Sequence, residues 1–181
     1  MVRLGLVLAL MAGPAAAGCF GPPFPKKVHF DNGQTMEVVS HTAQDLTVRS
    51  VLPDGTMQAA LRSGLFPLSS SGSGVTQHFE WLSDLPDLGG LQPGQRFSLE
   101  ADMIVEHASR SYYHVDLVVL RQDSVRVGGC DYPVIVVQRF DRLSGVTSSS
   151  TLWIAPRLLM ALRTISALPG DVRTNAVTGF E

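Results

Sequence analysis

The chain has 181 residues, which is the size of one ordinary domain with a sizeable core. It carries 14 basic and 16 acidic residues, for a formal net charge of −2. Nucleic acid binding relies on clustered Lys and Arg, so this composition excludes that class of function.

The first 18 residues are typical of a secretory signal peptide. Arg3 gives a positive start, residues 4–11 form a short apolar run, residues 13–14 (Gly-Pro) break a helix, and residues 15–17 are small alanines. The apolar run is too short for a permanent anchor, and no later stretch is long and uncharged enough to cross a bilayer. The sequence therefore predicts a mature chain that is exported to the periplasm or cell envelope and has no transmembrane span.

Cys19 follows the cleavage region and has two candidate fates. Residues 16–19 read as a lipobox that would make Cys19 a diacylglyceryl anchor, although Ala16 stands where leucine is usual. Alternatively, Cys19 stays in the mature chain and forms a disulfide with Cys130, the second of the two cysteines. The even number of cysteines favours the disulfide, because lipidation of Cys19 would leave Cys130 as a free thiol in an oxidising compartment.

Residues 19–26 are rich in proline and predict an extended lead-in to a single β domain over residues 27–168. The domain begins with short alternating runs separated by turn signals. Residues 32–33 (Asn-Gly) and 53–55 (Pro-Asp-Gly) are such signals. Residues 69–74 are Ser and Gly only and predict a mobile surface loop.

The clearest strands cover residues 97–105 and 113–119. Apolar side chains occupy most odd positions in both, and polar side chains occupy most even positions, which is the period of a half-buried strand. Residues 109–111 (Ser-Arg-Ser) mark the turn of a predicted hairpin. When the apolar faces of the two strands are aligned about this turn, His114 is expected opposite Glu106.

Residues 132–140 are apolar on both faces, so this strand is expected to be covered on both sides. A further strand is predicted over residues 148–154, while residues 158–166 fit a strand or a short helix equally well. A loose tail is expected over residues 169–181. Together these elements predict an all-β antiparallel meander, curled into a half-barrel or barrel, with at most one short C-terminal helix.

Three segments of the C-terminal half resemble segments of a known class of β-sheet proteins. They are a strand, Gly-Gly turn and apolar strand over residues 125–137, an aromatic-Pro closing strand over residues 151–156, and the preceding loop at residues 91–97. Over residues 90–166 the chain resembles uncharacterised bacterial envelope proteins with a curved antiparallel sheet, of the half-barrel type of the lipoprotein carriers LolA and LolB. The resemblance implies a fold and an envelope location and carries no functional residue. Cys130 is not part of the pattern, which favours a local disulfide.

The candidates for chemistry centre on the predicted hairpin. His107 and His114 flank it, but aligning the apolar faces places them on opposite sides of the sheet, so no shared metal is predicted. Glu106, Asp102 and Asp116 share the face of His114, which would suit a small hydrolase. A solvated face with cross-strand charge pairs is favoured instead. No nucleophile elbow, phosphate loop, CxxC pair or dinucleotide fingerprint is present, so we expect no cofactor and no catalytic residue.

The odd-numbered face of the hairpin is instead the candidate surface for an apolar ligand. This face, extended by one tryptophan, comprises Phe97, Leu99, Met103, Tyr113, Val115, Leu117 and Trp153. The sequence thus favours a non-enzymatic envelope protein that binds a lipid, an acyl chain or an envelope protein partner on a curved sheet. The alternatives are an assembly factor that pairs through a sheet edge and, less favoured, a hydrolase on the His114 face.

Overall fold

The computed structural model describes residues 24–52, 55–106, 108, 110–168 and 170–181. The predicted signal peptide, Cys19 and His107 lie outside the described residues. The strands are β1 Lys27–Phe30, β2 Thr35–His41, β3 Asp45–Leu52, β4 Gly55–Arg62, β5 Phe66–Gly72, β6 Val75–Trp81, β7 Arg96–Val105, β8 Arg110–Val127, β9 Cys130–Leu143, β10 Val146–Ala155, β11 Met160–Leu168 and β12 Asp171–Phe180. The described helical structure is limited to two 3₁₀ turns, Leu88–Gly90 and Pro156–Leu158.

The strands form one closed antiparallel ring. Each strand pairs with its neighbours in the chain, and β1 also pairs with β12, so the described ring contains no edge strand. The prediction of an all-β antiparallel meander curled into a half-barrel or barrel is confirmed, and the form observed is the closed barrel. Closure gives every strand a hydrogen-bonding partner on both sides, which protects the sheet from pairing with other chains.

The predicted loose tail over residues 169–181 is wrong. Residues 171–180 form β12, which pairs with β11 on one side and with β1 on the other, where Val28 lies opposite Phe180. The sequence gives little sign of this strand, because the segment is mostly polar and Val177 is its one buried side chain. A strand held by backbone hydrogen bonds on both sides needs few apolar residues.

Two further expectations are corrected by the observed strands. The predicted loop over residues 69–74 belongs to the β5–β6 hairpin, whose turn is residues 73–74. The helical alternative for residues 158–166 is also wrong, because β11 begins at Met160 and pairs with β10 and β12. Cross-strand hydrogen bonding overrides the local preference of the Ser and Gly residues in the first segment, and it decides between two equal local preferences in the second.

The hairpin of β8 and β9 extends beyond its neighbours. Pairing between β7 and β8 ends at Val118, and pairing between β9 and β10 ends at Ile135. Residues 120–134 therefore continue as a two-stranded ribbon. A register shift between Val119 and Arg121 marks the point where this ribbon leaves the wider sheet, as expected of a β-bulge.

Two apolar clusters pack on opposite faces of β9, the second strand of the ribbon. The side chains of Val134 and Val136 belong to the first cluster, whereas those of Ile135 and Val137 belong to the second. Since neighbouring side chains in a strand point to opposite faces, the middle of β9 is covered on both sides, as its sequence predicts. The first cluster also includes Val28, Leu46, Val48, Tyr132, Leu158, Leu162 and Val177. The second also includes Leu65, Phe66, Leu88, Leu91, Leu99, Leu117 and Val119.

The β4–β5 turn packs tightly on the strained residue that precedes β11. A Cβ added at Gly64, which has a φ of +66°, would lie 1.7 Å from the carbonyl oxygen of Leu159. Leu159 itself adopts a positive φ of 49°. Only a glycine fits this contact, because both the backbone conformation and the space exclude a side chain.

We predict that Gly64→Ala lowers the free energy of unfolding by about 3 kcal/mol or more, because the added methyl group forces the turn away from Leu159. The matched control is Gly74→Ala, at a residue with a similar φ of +77° but with open space where the added Cβ would lie. This control should cost only about 1 kcal/mol, from backbone strain alone. Urea denaturation measures both changes, and equal losses would refute the packing argument.

Candidate functional site

The outer face of β7 and β8 carries the polar residues that the sequence singled out, in a different register. His114 lies opposite Glu100, and Asp116 lies opposite Ser98. The expected pairing of His114 with Glu106 is wrong, because β7 ends at Val105 and β8 begins at Arg110, which lies opposite Ile104. The alternation of faces was predicted correctly, but the turn that sets the register was placed too late.

His114 belongs to a connected hydrogen-bond network on this face. Its Nε2 lies 3.0 Å from Asp116 Oδ1 and 3.2 Å from Ser98 Oγ. The Ser98 hydroxyl donates to Asp116 Oδ1 at 2.9 Å, and Arg142 donates to the other carboxylate oxygen. Partial burial of Asp116 opposes its ionisation, but the hydrogen bonds from Ser98, His114 and Arg142 dominate and lower the pKa of Asp116.

This geometry does not activate a nucleophile. In a hydrolase triad, the serine and the carboxylate contact different nitrogens of the histidine. Here Ser98 and Asp116 approach the same nitrogen, and the Ser98 proton points to the carboxylate. In the described part of the chain, no group of three or more His, Cys, Asp or Glu residues is placed to hold a metal ion. The face therefore has the character of a solvated, charge-paired sheet surface.

Tyr112 and Glu100 extend the same face towards the end of the hairpin. A hydrogen bond to Glu100 raises the pKa of the Tyr112 hydroxyl, so this exposed hydroxyl remains a proton donor. An open groove of about 580 Å³ runs past these side chains, His114 and Arg142.

A buried polar cluster, which sequence reasoning missed, lies beside the second apolar cluster. The Arg139 side chain is 11% exposed, and its Nε lies 2.9 and 3.0 Å from the two Asp141 carboxylate oxygens. Arg139 also donates to the Tyr113 hydroxyl and to the carbonyl oxygen of Leu65, while Tyr113 donates to Asp141. Burial raises the pKa of Tyr113, which keeps its proton in this network.

The sequence signal for this cluster is the face of β9 on which its charged residues lie. Arg139 lies opposite Leu117 and Asp141 opposite Val115, so both charged side chains share the apolar face of β8. That pairing depends on a long-range register that the sequence does not reveal. Arg139 donates to groups of the same chain, and these hydrogen bonds join the β4–β5 turn, at Leu65, to β8 and β9.

The structure brings most residues of the predicted ligand face together. Leu99, Met103, Tyr113, Val115 and Leu117 are buried in the second cluster, and Phe97 packs against it. These side chains form two adjacent rows, because Phe97 pairs with Leu117 and Leu99 pairs with Val115.

Trp153 is separated from that face. It belongs to the first cluster, whereas the adjacent Ile154 belongs to the second. A register shift between these two residues marks the change, and the guanidinium of Arg163 lies 4.8 Å from the centre of the Trp153 ring. The structure thus brings together six of the seven predicted residues, and their role in ligand binding remains a prediction.

Comparison with known proteins identifies the fold. No protein family and no curated protein matches the sequence. The crystal structure of the hypothetical lipoprotein YmcC from Escherichia coli (K12) matches with a TM-score of 0.55 and 10% identity, over 89% of this chain and 88% of that chain. A Bacteroides fragilis protein described as exported, with a YmcC-like fold, matches with a TM-score of 0.45 and 10% identity, over 87% of this chain and 98% of that chain.

The similarity to YmcC shows a shared fold and confirms, at that level, the resemblance to bacterial envelope proteins. The two structural neighbours are described as a lipoprotein and an exported protein, respectively. Within the described residues, no helix is long and apolar enough to cross a membrane.

We predict that Arg139→Met lowers the free energy of unfolding by about 3–5 kcal/mol, because it leaves the Asp141 charge buried without its partner. The matched control is Arg126→Met, which removes an exposed pair between Arg126 and Asp131. This control should cost less than about 1 kcal/mol. Thermal and urea denaturation of both variants test the difference, and an Arg139→Met variant as stable as the control would contradict the structural role.

Proposed function

We propose that this protein is an exported, non-enzymatic protein of the bacterial cell envelope that binds an apolar ligand, a lipid or an acyl chain, at its second apolar cluster. One observation carries the proposal: six residues that the sequence marks as an apolar ligand face lie on one continuous surface of β7 and β8. The signal-like N-terminal sequence and the fold shared with a bacterial lipoprotein support the location.

The shape of this surface suits an extended aliphatic chain. Phe97, Leu99 and Met103 follow one strand, and the partner strand contributes Val115 and Leu117 beside them. Six residue steps along a strand span about 20 Å, at about 3.4 Å per residue. A two-strand-wide apolar strip of that length offers continuous contact to an acyl chain, with the polar side chains of Arg139 and Asp141 beside it on β9.

The alternatives have less support. A hydrolase on the His114 face lacks an activated serine, since the Ser98 hydroxyl donates to Asp116. An assembly factor that pairs through a sheet edge lacks that edge, since the described ring is closed. An envelope protein partner that presents an acyl group remains within the proposal, because the same apolar surface would receive it.

We predict that protein purified without detergent carries a lipid detectable by native mass spectrometry, and that the delipidated protein binds the fluorescent fatty acid cis-parinaric acid. Phe97→Ser should weaken binding of this probe at least about tenfold, because the variant loses apolar contact area. The matched control is Leu120→Ser, at an exposed position of β8 outside both clusters. Absence of both copurified lipid and probe binding would rule out the proposed ligand.

A separate prediction concerns the fate of Cys19. Cys130 is buried at the start of β9 in the first cluster, while Cys19 lies outside the described residues. We expect intact-mass analysis to show a mature chain that begins near Gly18 and is two hydrogens lighter than the reduced chain, because two cysteines in an oxidising compartment pair. A Cys130→Ser variant should lack this difference. A membrane-bound chain with a diacylglyceryl adduct would establish the lipid anchor instead.

A further inference from the structure

The connection between β6 and β7, residues 82–95, packs against the second apolar cluster and forms no strand. It is tied down near its two ends. Leu82 N donates to Glu100 O at 2.8 Å, and Gly94 N donates to Val119 O at 2.8 Å. Irregular connections of this length are uncommon in compact domains, and those that occur often serve as functional covers.

Ser83 Oγ also accepts from Glu100 N at 3.1 Å, and between Ser83 and Gly94 the segment bonds only to itself. The Asp87 side chain accepts from Gly89 N at 3.1 Å, Leu91 N donates to Leu88 O at 3.4 Å, and Gln92 N donates to Gln95 Oε1 at 2.8 Å. Among the described residues, no hydrogen bond joins residues 84–93 to a strand. The backbone of this segment therefore adds little to its attachment.

Leucine burial holds the middle of the segment in place. Leu88 and Leu91 are 2% and 4% exposed, and both belong to the second cluster, against which Leu85 also packs. All three side chains contact the same cluster and therefore point to the same side of the segment. The ends are fixed and the middle adheres only through aliphatic contacts, so the middle can open locally at a much lower cost than the strands.

The structure assigns residues 82–95 the role of a lid: Leu88 and Leu91 cover the apolar surface in the ligand-free protein, and an acyl chain displaces them. This inference rests on the proposed function and specifies how the ligand reaches a buried surface. The exchange replaces aliphatic leucine side chains by an aliphatic ligand, so the strip on β7 and β8 is never left in contact with water. Because only the open form binds the ligand, the closed lid lowers the apparent affinity, and the smaller the open fraction, the weaker the binding.

Hydrogen exchange of the full chain with and without cis-parinaric acid tests the displacement directly. We expect the backbone amides of Gly90 and Leu91 to exchange at least about tenfold faster when the probe is bound, because the short 3₁₀ turn that protects them is lifted. Amides of β7 and β8 should exchange no faster than before. Unchanged or increased protection at Gly90 and Leu91 in the probe complex would overturn the lid.

A double variant, Leu88→Ser with Leu91→Ser, tests the competition between the lid and the ligand. It should bind cis-parinaric acid at least about tenfold more tightly than the natural chain, because the competing side chains are gone. The matched control is Gln92→Ser, an exposed position of the same connection, which should bind as the natural chain does.

These outcomes separate the two claims. If the natural chain binds the probe and the double variant binds it no more tightly, the lid is refuted and the proposed function stands. If neither binds and no lipid copurifies, the proposed function fails and the lid fails with it. A double variant that does not fold leaves the decision to hydrogen exchange on the natural chain.

Discussion

Pairing between the first and last strands is the constraint on which the remaining structure depends. The amides of Lys26 and Lys27 donate to Glu181 O, and Asp31 exchanges hydrogen bonds with Ala176 through its amide and its carboxylate. These few bonds join segments about 150 residues apart in a chain that otherwise pairs with its immediate neighbours. Closure places Val28 in the first cluster and leaves the described sheet without an edge.

The long β8–β9 hairpin then determines how the ring is filled. A ring of twelve strands is wide, so one layer of apolar residues would not fill it at native density. The ribbon of residues 120–134 brings Tyr132 and Val134 to the first cluster, while Val137 remains in the second. The ribbon thus allows one strand to contribute to two cores.

What the sequence reveals and what it conceals follow from the range of each interaction. The alternation over residues 97–105 is local, and it correctly predicts the strand and its apolar face. β12 is concealed because its partner β1 lies at the other end of the chain and its side chains are mostly polar. The cluster of Arg139, Asp141 and Tyr113 is concealed because a charged pair in a strand reads as solvent-facing until the register shows otherwise.

The candidate site illustrates the same limit at a finer scale. A sequence pattern can show that Leu99 and Leu117 share an apolar face. It cannot show what covers them, because the covering segment has no periodic pattern that relates it to the strands. Residues 82–95 contain no strand or helix pattern, and their leucines appear there as ordinary loop residues. Their role emerges only from the burial of a segment whose middle has no backbone pairing with the sheet. A cover whose middle is held by side chains alone contributes to stability, and it also yields to any ligand that offers the same aliphatic contacts.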